Sequence, residues 1–126
     1  MREIKFRGLG VDGKWWFGEL NPSGENHINL ATFFANIHAG AIRPETVGEY
    51  TGLKDKNGKE IYEGDILLVQ LQDYGCPKVE LFQVLWDDSS VRYKLIDKNG
   101  DPWGFDNSSP MEVIGNVYEN PELLEK

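Results

Sequence analysis

The chain opens on a strict alternation in which Ile4 and Phe6 fall on one side of an extended backbone and Glu3, Lys5 and Arg7 on the other. Successive side chains of a strand point to opposite faces, so residues 3–9 predict a half-buried strand with Ile4 and Phe6 turned inward. Asp12-Gly13 marks a turn, and the aromatic run from Trp15 to Leu20 reads as the returning strand, closed by Asn21-Pro22-Ser23-Gly24. The period then changes. Leu30, Phe33, Phe34 and Ile37 recur at helical spacing, with Asn29 placed to cap and Gly40 to stop, which predicts one short amphipathic helix around 29–39.

From Pro44 the pattern is extended again through Val47 and Tyr50. Asp55-Lys56-Asn57-Gly58 and Asp97-Lys98-Asn99-Gly100 carry the Asn-Gly pair preferred in type I′ hairpins, where both central residues take positive φ. Glu63-Gly64-Asp65 makes a tight turn into Ile66 to Leu71, an apolar run expected to be a buried strand. Gly75-Cys76-Pro77 is expected to break the chain. Beyond it, Phe82, Val84 and Trp86 share one face, and Val79, Leu81 and Leu85 the other. Asp87-Asp88-Ser89-Ser90 turns the chain into Val91 to Ile96, with Val91, Tyr93 and Leu95 aligned. Residues 102–110 read as a polar loop, Met111 to Tyr118 as the last strand, and Asn120-Pro121-Glu122 as the cap of a final helical turn.

Turn signals this closely spaced argue for a mainly all-β chain, an antiparallel barrel or sandwich. The halves also rhyme: Val47-Gly48-Glu49-Tyr50 answers Ile114-Gly115-Asn116-Val117-Tyr118. That suggests duplication of a five-stranded unit, with halves at 1–60 and 61–126 inside a single domain of 126 residues. A chain of this size buries about two-thirds of its unfolded surface and needs no covalent staples.

Composition narrows the functional classes. Acidic residues number 21 against 13 basic, a formal net charge of −8. Phosphate backbones are held by clustered Lys and Arg. Here the basic residues are scattered singly between acids, so nucleic acid is an unfavoured partner. The single cysteine, Cys76, forms no internal disulfide and supplies no metal-ligand set. The opening residues lack the apolar core of a signal peptide, and no stretch approaches the roughly 20 apolar residues of a membrane span. The expected setting is a reducing cytoplasm, without membrane attachment.

Three stretches carry a family resemblance. They are Arg2-Glu3-Ile4-Lys5-Phe6-Arg7, the block from Tyr50-Thr51-Gly52-Leu53-Lys54 through Tyr62-Glu63-Gly64-Asp65-Ile66, and Val113-Ile114-Gly115-Asn116-Val117-Tyr118-Glu119-Asn120-Pro121-Glu122-Leu123. Together they resemble the YopX family of bacteriophage and prophage proteins. The resemblance implies an all-β fold of two small Src-homology-3-like barrels in tandem, and a phage or prophage origin in a bacterial cytoplasm. It brings no activity and no functional residues, and residues 8–46 and 70–110 lie outside the stretches that carry it.

Candidate chemistry is sparse. The two Asp-Lys-Asn-Gly loops place Gly at the fourth position, as a hairpin needs, rather than at the sixth as in an EF-hand loop, so they read as turns and no metal is expected. His27, His38 and Cys76 are the residues that could suggest nucleophilic catalysis, but no local sequence assembles a base and an orienting group around them. Glu60, Glu63 and Asp65, and the pair Asp87-Asp88, could pair as hydrolytic carboxylates, yet acids in turns are ordinarily solvated. No cofactor is implied.

The aromatics are more informative. Trp15 and Trp16 are neighbours on one strand and must point to opposite faces, so one of them needs a second layer, a subunit interface or a ligand groove. Trp103 and Phe105 sit beside Asp101 and Asp106 in a loop, either folded back as a plug or displayed for recognition. Trp15, Trp16, Trp103 and Phe105 are therefore the candidate partner-binding residues. The expected function is a non-enzymatic interaction module that binds a protein of the host or the phage, with homo-oligomerisation as a further use of the same surfaces. The alternative is a nucleic-acid-binding or DNA-mimicking regulator, and a small hydrolase is the weakest reading.

Overall fold

The computed structural model describes residues 3–22, 24–73, 75–105 and 109–124. Arg2 of the opening motif, Ser23 of the first long turn and Asp106 of the aromatic loop lie outside the described residues, as does the side chain of Cys76. The architecture is mostly β. Its strands are β1 (Lys5–Leu9), β2 (Trp15–Glu19), β3 (His27–Asn29), β4 (Gly48–Lys54), β5 (Glu60–Tyr62), β6 (Asp65–Asp73), β7 (Cys76–Asp87), β8 (Arg92–Ile96), β9 (Pro102–Gly104) and β10 (Met111–Asn116). One helix, α1 (Leu30–His38), and 3-10 turns at Pro44–Thr46 and Pro121–Leu124 complete the described elements. They form two five-stranded sheets, ordered β3-β2-β1-β4-β5 and β10-β6-β7-β8-β9. The chain divides into compact units Met1–Tyr50 and Thr51–Lys126, with the change falling inside β4. The halves read from the sequence, 1–60 and 61–126, meet instead after the Asn57-Gly58 hairpin.

In the first unit, β1 and β2 form an antiparallel hairpin in the register Lys5↔Glu19 to Leu9↔Trp15. The three-residue β3 runs parallel to β2 at the edge, a strand too short to leave a period in the sequence. The helix is the one its spacing predicts. Asn29 Oδ1 accepts from Thr32 N at 2.8 Å, and Gly40, at φ +84°, follows the last turn. Both devices satisfy or redirect backbone groups that a helix end leaves open. Phe33, fully buried, comes down on the hairpin where Gly8 and Gly18 leave the sheet flat. A Cβ on Gly18 would lie 2.5 Å from Phe33 Cγ, so bare backbone is what allows the approach.

The β1 alternation is real, but its inward face is not the one expected. Lys5 and Arg7 are buried, whereas Ile4 is 48% exposed and Phe6 half-buried against the edge of Phe34. Both faces of β1 are covered. One takes Phe6 and Gly8 beneath α1; the other takes Lys5, Arg7 and Leu9. Burying two cations requires partners. Lys5 Nζ lies 3.3 Å from the buried Glu19 carboxylate and 3.4 Å from Glu3, and the Arg7 guanidinium stacks 4.6 Å from the Trp15 ring.

The second unit is a meander, with β10 returning to pair antiparallel with β6. Ile61, Leu67, Phe82, Val84, Leu95 and Met111 are central to its core. The two Asp-Lys-Asn-Gly turns share one construction. Gly58 (φ +83°) and Gly100 (φ +86°) are left-handed, while Asn57 and Asn99 are not, so these are not the type I′ turns expected. The aspartate side chains do the remaining work: Asp55 Oδ1 accepts from Asn57 N and Lys59 N, and Asp97 Oδ1 from Asn99 N and Asp101 N, each at 2.9 Å.

Three local expectations are corrected here. Cys76 opens β7 rather than sitting in a turn; the reversal falls on Gly75, at φ +81°. Pro77 is tolerated because β8 pairs with β7 only from Gln83 onward, leaving the earlier residues at an edge. Val91 belongs to the turn before β8, not to the strand, and holds φ +52°. A β-branched side chain in that region is strained by about 1–2 kcal/mol. Val91→Gly is therefore expected to raise stability by about 0.5–1 kcal/mol after the entropy of the freer unfolded chain is offset, measured by urea denaturation. Trp103 lies on β9 opposite Leu95, a strand hidden from the sequence by its Pro and Gly flanks.

Candidate aromatic-lined cavities

Each unit holds a surface cavity bordered by one of the candidate tryptophans. In the first unit a cavity of about 310 Å³ is lined by Val11, Asp12, Trp16, Ile28, Thr32, Asn36, Ala41 and Ile42. These come from the β1–β2 turn, β2, β3, α1 and the segment after it. Ile42 closes the floor, while Val11, Asp12, Thr32 and Ala41 are exposed at the mouth. The wall is held by backbone hydrogen bonds: Asn36 O accepts from Ala41 N and Ile42 N, and Val11 N donates to Ala41 O.

Trp16 is half-buried, and its position is fixed from the turn. Asp12 Oδ1 accepts from Lys14 N at 3.1 Å and, at the long end of the range, from Trp16 Nε1 at 3.4 Å. The Lys14 amide, chiefly, holds the Asp12 carboxyl below the ordinary carboxylate range, with the indole N–H contributing. An anion thus stands at the lip of an apolar hollow.

In the second unit a cavity of about 230 Å³ is lined by Val69, Leu71, Phe82, Leu95, Trp103, Gly104, Ser109 and Met111. Trp103 is 43% exposed, meets Phe82 edge-on at 5.5 Å, and donates from Nε1 to Asp97 Oδ2 at 3.1 Å. Here too a turn aspartate steers an indole. Phe105 is half-buried and packs against the hydrophobic core, as a plug does.

The four expected residues thus separate. Trp16 and Trp103 line cavities in different units. Trp15 points to the opposite face from Trp16 and lies under Arg7, and Phe105 serves the core. Ile28, Thr32, Asn36 and Ala41 were not singled out by sequence. They gather only through tertiary folding, and no local motif announces them.

A second constellation was also missed. Glu19 joins Lys5 on one side and His27 Nδ1, 3.2 Å away, on the other, while the His27 ring stacks on Phe17 at 4.7 Å. Burial disfavours the Glu19 charge, but His27 and Lys5 outweigh it and hold the carboxyl below its ordinary value. This is a polar cluster packed against the hairpin. His38 ends α1 on the surface. Three of the candidate acids are engaged locally: Asp65, buried, accepts from Tyr62 N, Glu60 on β5 from the Tyr62 hydroxyl, and Asp87 from Ser89 N and the Ser90 hydroxyl. Among the described residues no three His, Cys, Asp or Glu side chains gather as a metal site, and no helix is long and apolar enough to cross a membrane.

Fold and cavities define a two-sheet, mostly β protein with an aromatic-walled hollow in each unit. The family model described as YopX protein matches residues 5–125, nearly the whole chain. The chain belongs to the YopX family. Among solved structures it is similar to protein EF1440 from Enterococcus faecalis, at 21% identity and a TM-score of 0.56. That match covers 99% of this chain and 100% of the other. At that identity the likeness is one of fold. No curated protein matches the chain.

Proposed function

We propose that this protein is a non-enzymatic phage or prophage accessory module that acts in the bacterial cytoplasm by binding another protein. In this reading its two units are small Src-homology-3-like barrels; in the second, the meander with its last strand returned beside the first supports it. The observation that carries the functional reading is the cavity beside Trp16. Its volume falls within the few-hundred-Å³ range of binding pockets, its lining is mainly apolar, and a few polar groups stand at its mouth. A hollow of that size takes one large apolar side chain of a partner, and a Trp wall suits such an anchor.

Selection from a ribosome-displayed random peptide library tests this. Peptides sharing one apolar anchor are expected to be enriched, and Ala41→Phe, which places a ring in the open mouth, is expected to weaken their binding at least tenfold while leaving the melting temperature nearly unchanged. No enrichment, or equal binding by the variant, would count against the reading.

One observation favours a second reading. All but six of the 21 acidic residues fall in the second unit, with eight of the 13 basic ones. Such charge suits a decoy that imitates a phosphate backbone toward a DNA-binding protein. Competition with duplex DNA for that protein would support it.

A further inference from the structure

The cavity beside Trp16 carries more information than its size. Its lining is apolar on the floor and along one wall, but the lip bears Asp12, and the placement of that carboxylate is built rather than incidental. The Lys14 amide and the Trp16 indole both donate to Oδ1, and the carboxylate is exposed to solvent. The turn that presents it is closed by Gly10 N to Lys14 O at 2.9 Å and by Gly13 at φ +82°. A ligand whose apolar group fills the hollow must therefore bring its neighbouring atoms past a fixed, exposed anion.

Resting on the reading of this cavity as a protein-binding site, we infer that its occupant is a peptide segment of another protein carrying a large apolar side chain flanked by Lys or Arg. The apolar group is held by the Trp16 and Ile42 surfaces, and the flanking cation meets the Asp12 carboxylate. Charge complementarity argues for this occupant over an acidic one. An acidic flank would face the lip carboxylate, which the turn holds in place. Lys14 is the nearby cation, and it is exposed to solvent, where its charge is screened.

Three blocked pentapeptides with a central leucine, flanked on both sides by lysine, glutamine or glutamate, test the inference by chemical-shift titration of the intact protein. The lysine peptide is expected to bind about five-fold more tightly than the glutamate peptide at low salt, with glutamine between, and the spread is expected to close at high salt. Asp12→Asn keeps an oxygen for the Lys14 amide and the indole while removing the charge, so it is expected to level the three affinities without loss of the fold. Equal affinities in the wild-type protein, with binding still lost in Ala41→Phe, would overturn the charge selection and leave the cavity reading standing. No shift at Trp16 or Ile42 with any peptide at millimolar concentration would overturn both. Cavity shifts that grow with the protein's own concentration would make a second copy the occupant and overturn the inference.

Discussion

Gly18→Ala is expected to destabilise the first unit by about 3 kcal/mol, more than most single methyl additions, because the new atom has nowhere to go. Its Cβ would stand 2.5 Å from Phe33 Cγ and 2.7 Å from Phe33 Cβ. The second distance matters more, since a Cβ sits on the helix backbone and no rotamer change removes it. Either α1 lifts away from the hairpin or Phe33 leaves its pocket. Thermal and urea denaturation, followed by the fluorescence of Trp15 and Trp16, would measure the loss. Phe33→Ala in the same background removes Cγ and the ring and is expected to recover part of it, so that the two substitutions together cost less than their sum. Additive costs would show that the glycine is not there to admit the ring.

Asp55→Ala is the second large effect, expected to cost about 3 kcal/mol in the second unit. One carboxylate accepts three backbone amides: Asn57 N and Lys59 N within its own turn on Oδ1, and Val113 N, on β10, on Oδ2 at 3.0 Å. Truncation leaves all three donors to be satisfied elsewhere, at a site where Asp55 is buried. Burial alone disfavours the charge, but the amides of Val113, Lys59 and Asn57 outweigh it and keep the folded carboxyl below its ordinary value. The unfolded chain therefore takes up its proton first as pH falls. The stabilisation is fully present above the ordinary aspartate value of about 3.9 and is lost as pH drops through the lower folded value. A denaturation series from pH 6 to pH 2 should show the wild-type protein losing an acid-dependent increment that Asp55→Ala never had.

These two positions also show where the sequence is legible. The helix could be read because Asn29, the period of Leu30, Phe33, Phe34 and Ile37, and Gly40 all say the same thing locally. The hairpins could be read from their Gly positions, although the turn type could not. Asn-Gly is compatible with more than one geometry, and Asp55 and Asp97 decide it by accepting the amides that follow. What alternation cannot reveal is which face is inward when both are covered, and so by itself it turns Ile4 and Phe6 inward and leaves Lys5 and Arg7 on the other face. The signal for their burial lies in Glu19 and Trp15, on the neighbouring strand at positions that only the hairpin register supplies. The cavity is illegible for a related reason. Trp16 stands out as a residue, but Ile28, Thr32, Asn36 and Ala41 become its neighbours only when α1 is seated.

The order of strands in the second sheet bears on how the protein is made. β6 is its second strand across, yet its outer neighbour is β10, the last strand in the chain, tied in addition by Asp55 to Val113. On a translating ribosome the meander from β6 to β8 can pair as it emerges, but Ile66 to Val69 keep one flank bare until Met111 to Asn116 have cleared the exit tunnel. Until then the nascent polypeptide shows an unpaired strand edge, a row of open backbone N–H and C=O groups, and a stop codon placed before residue 111 would leave that edge open to pairing with other chains.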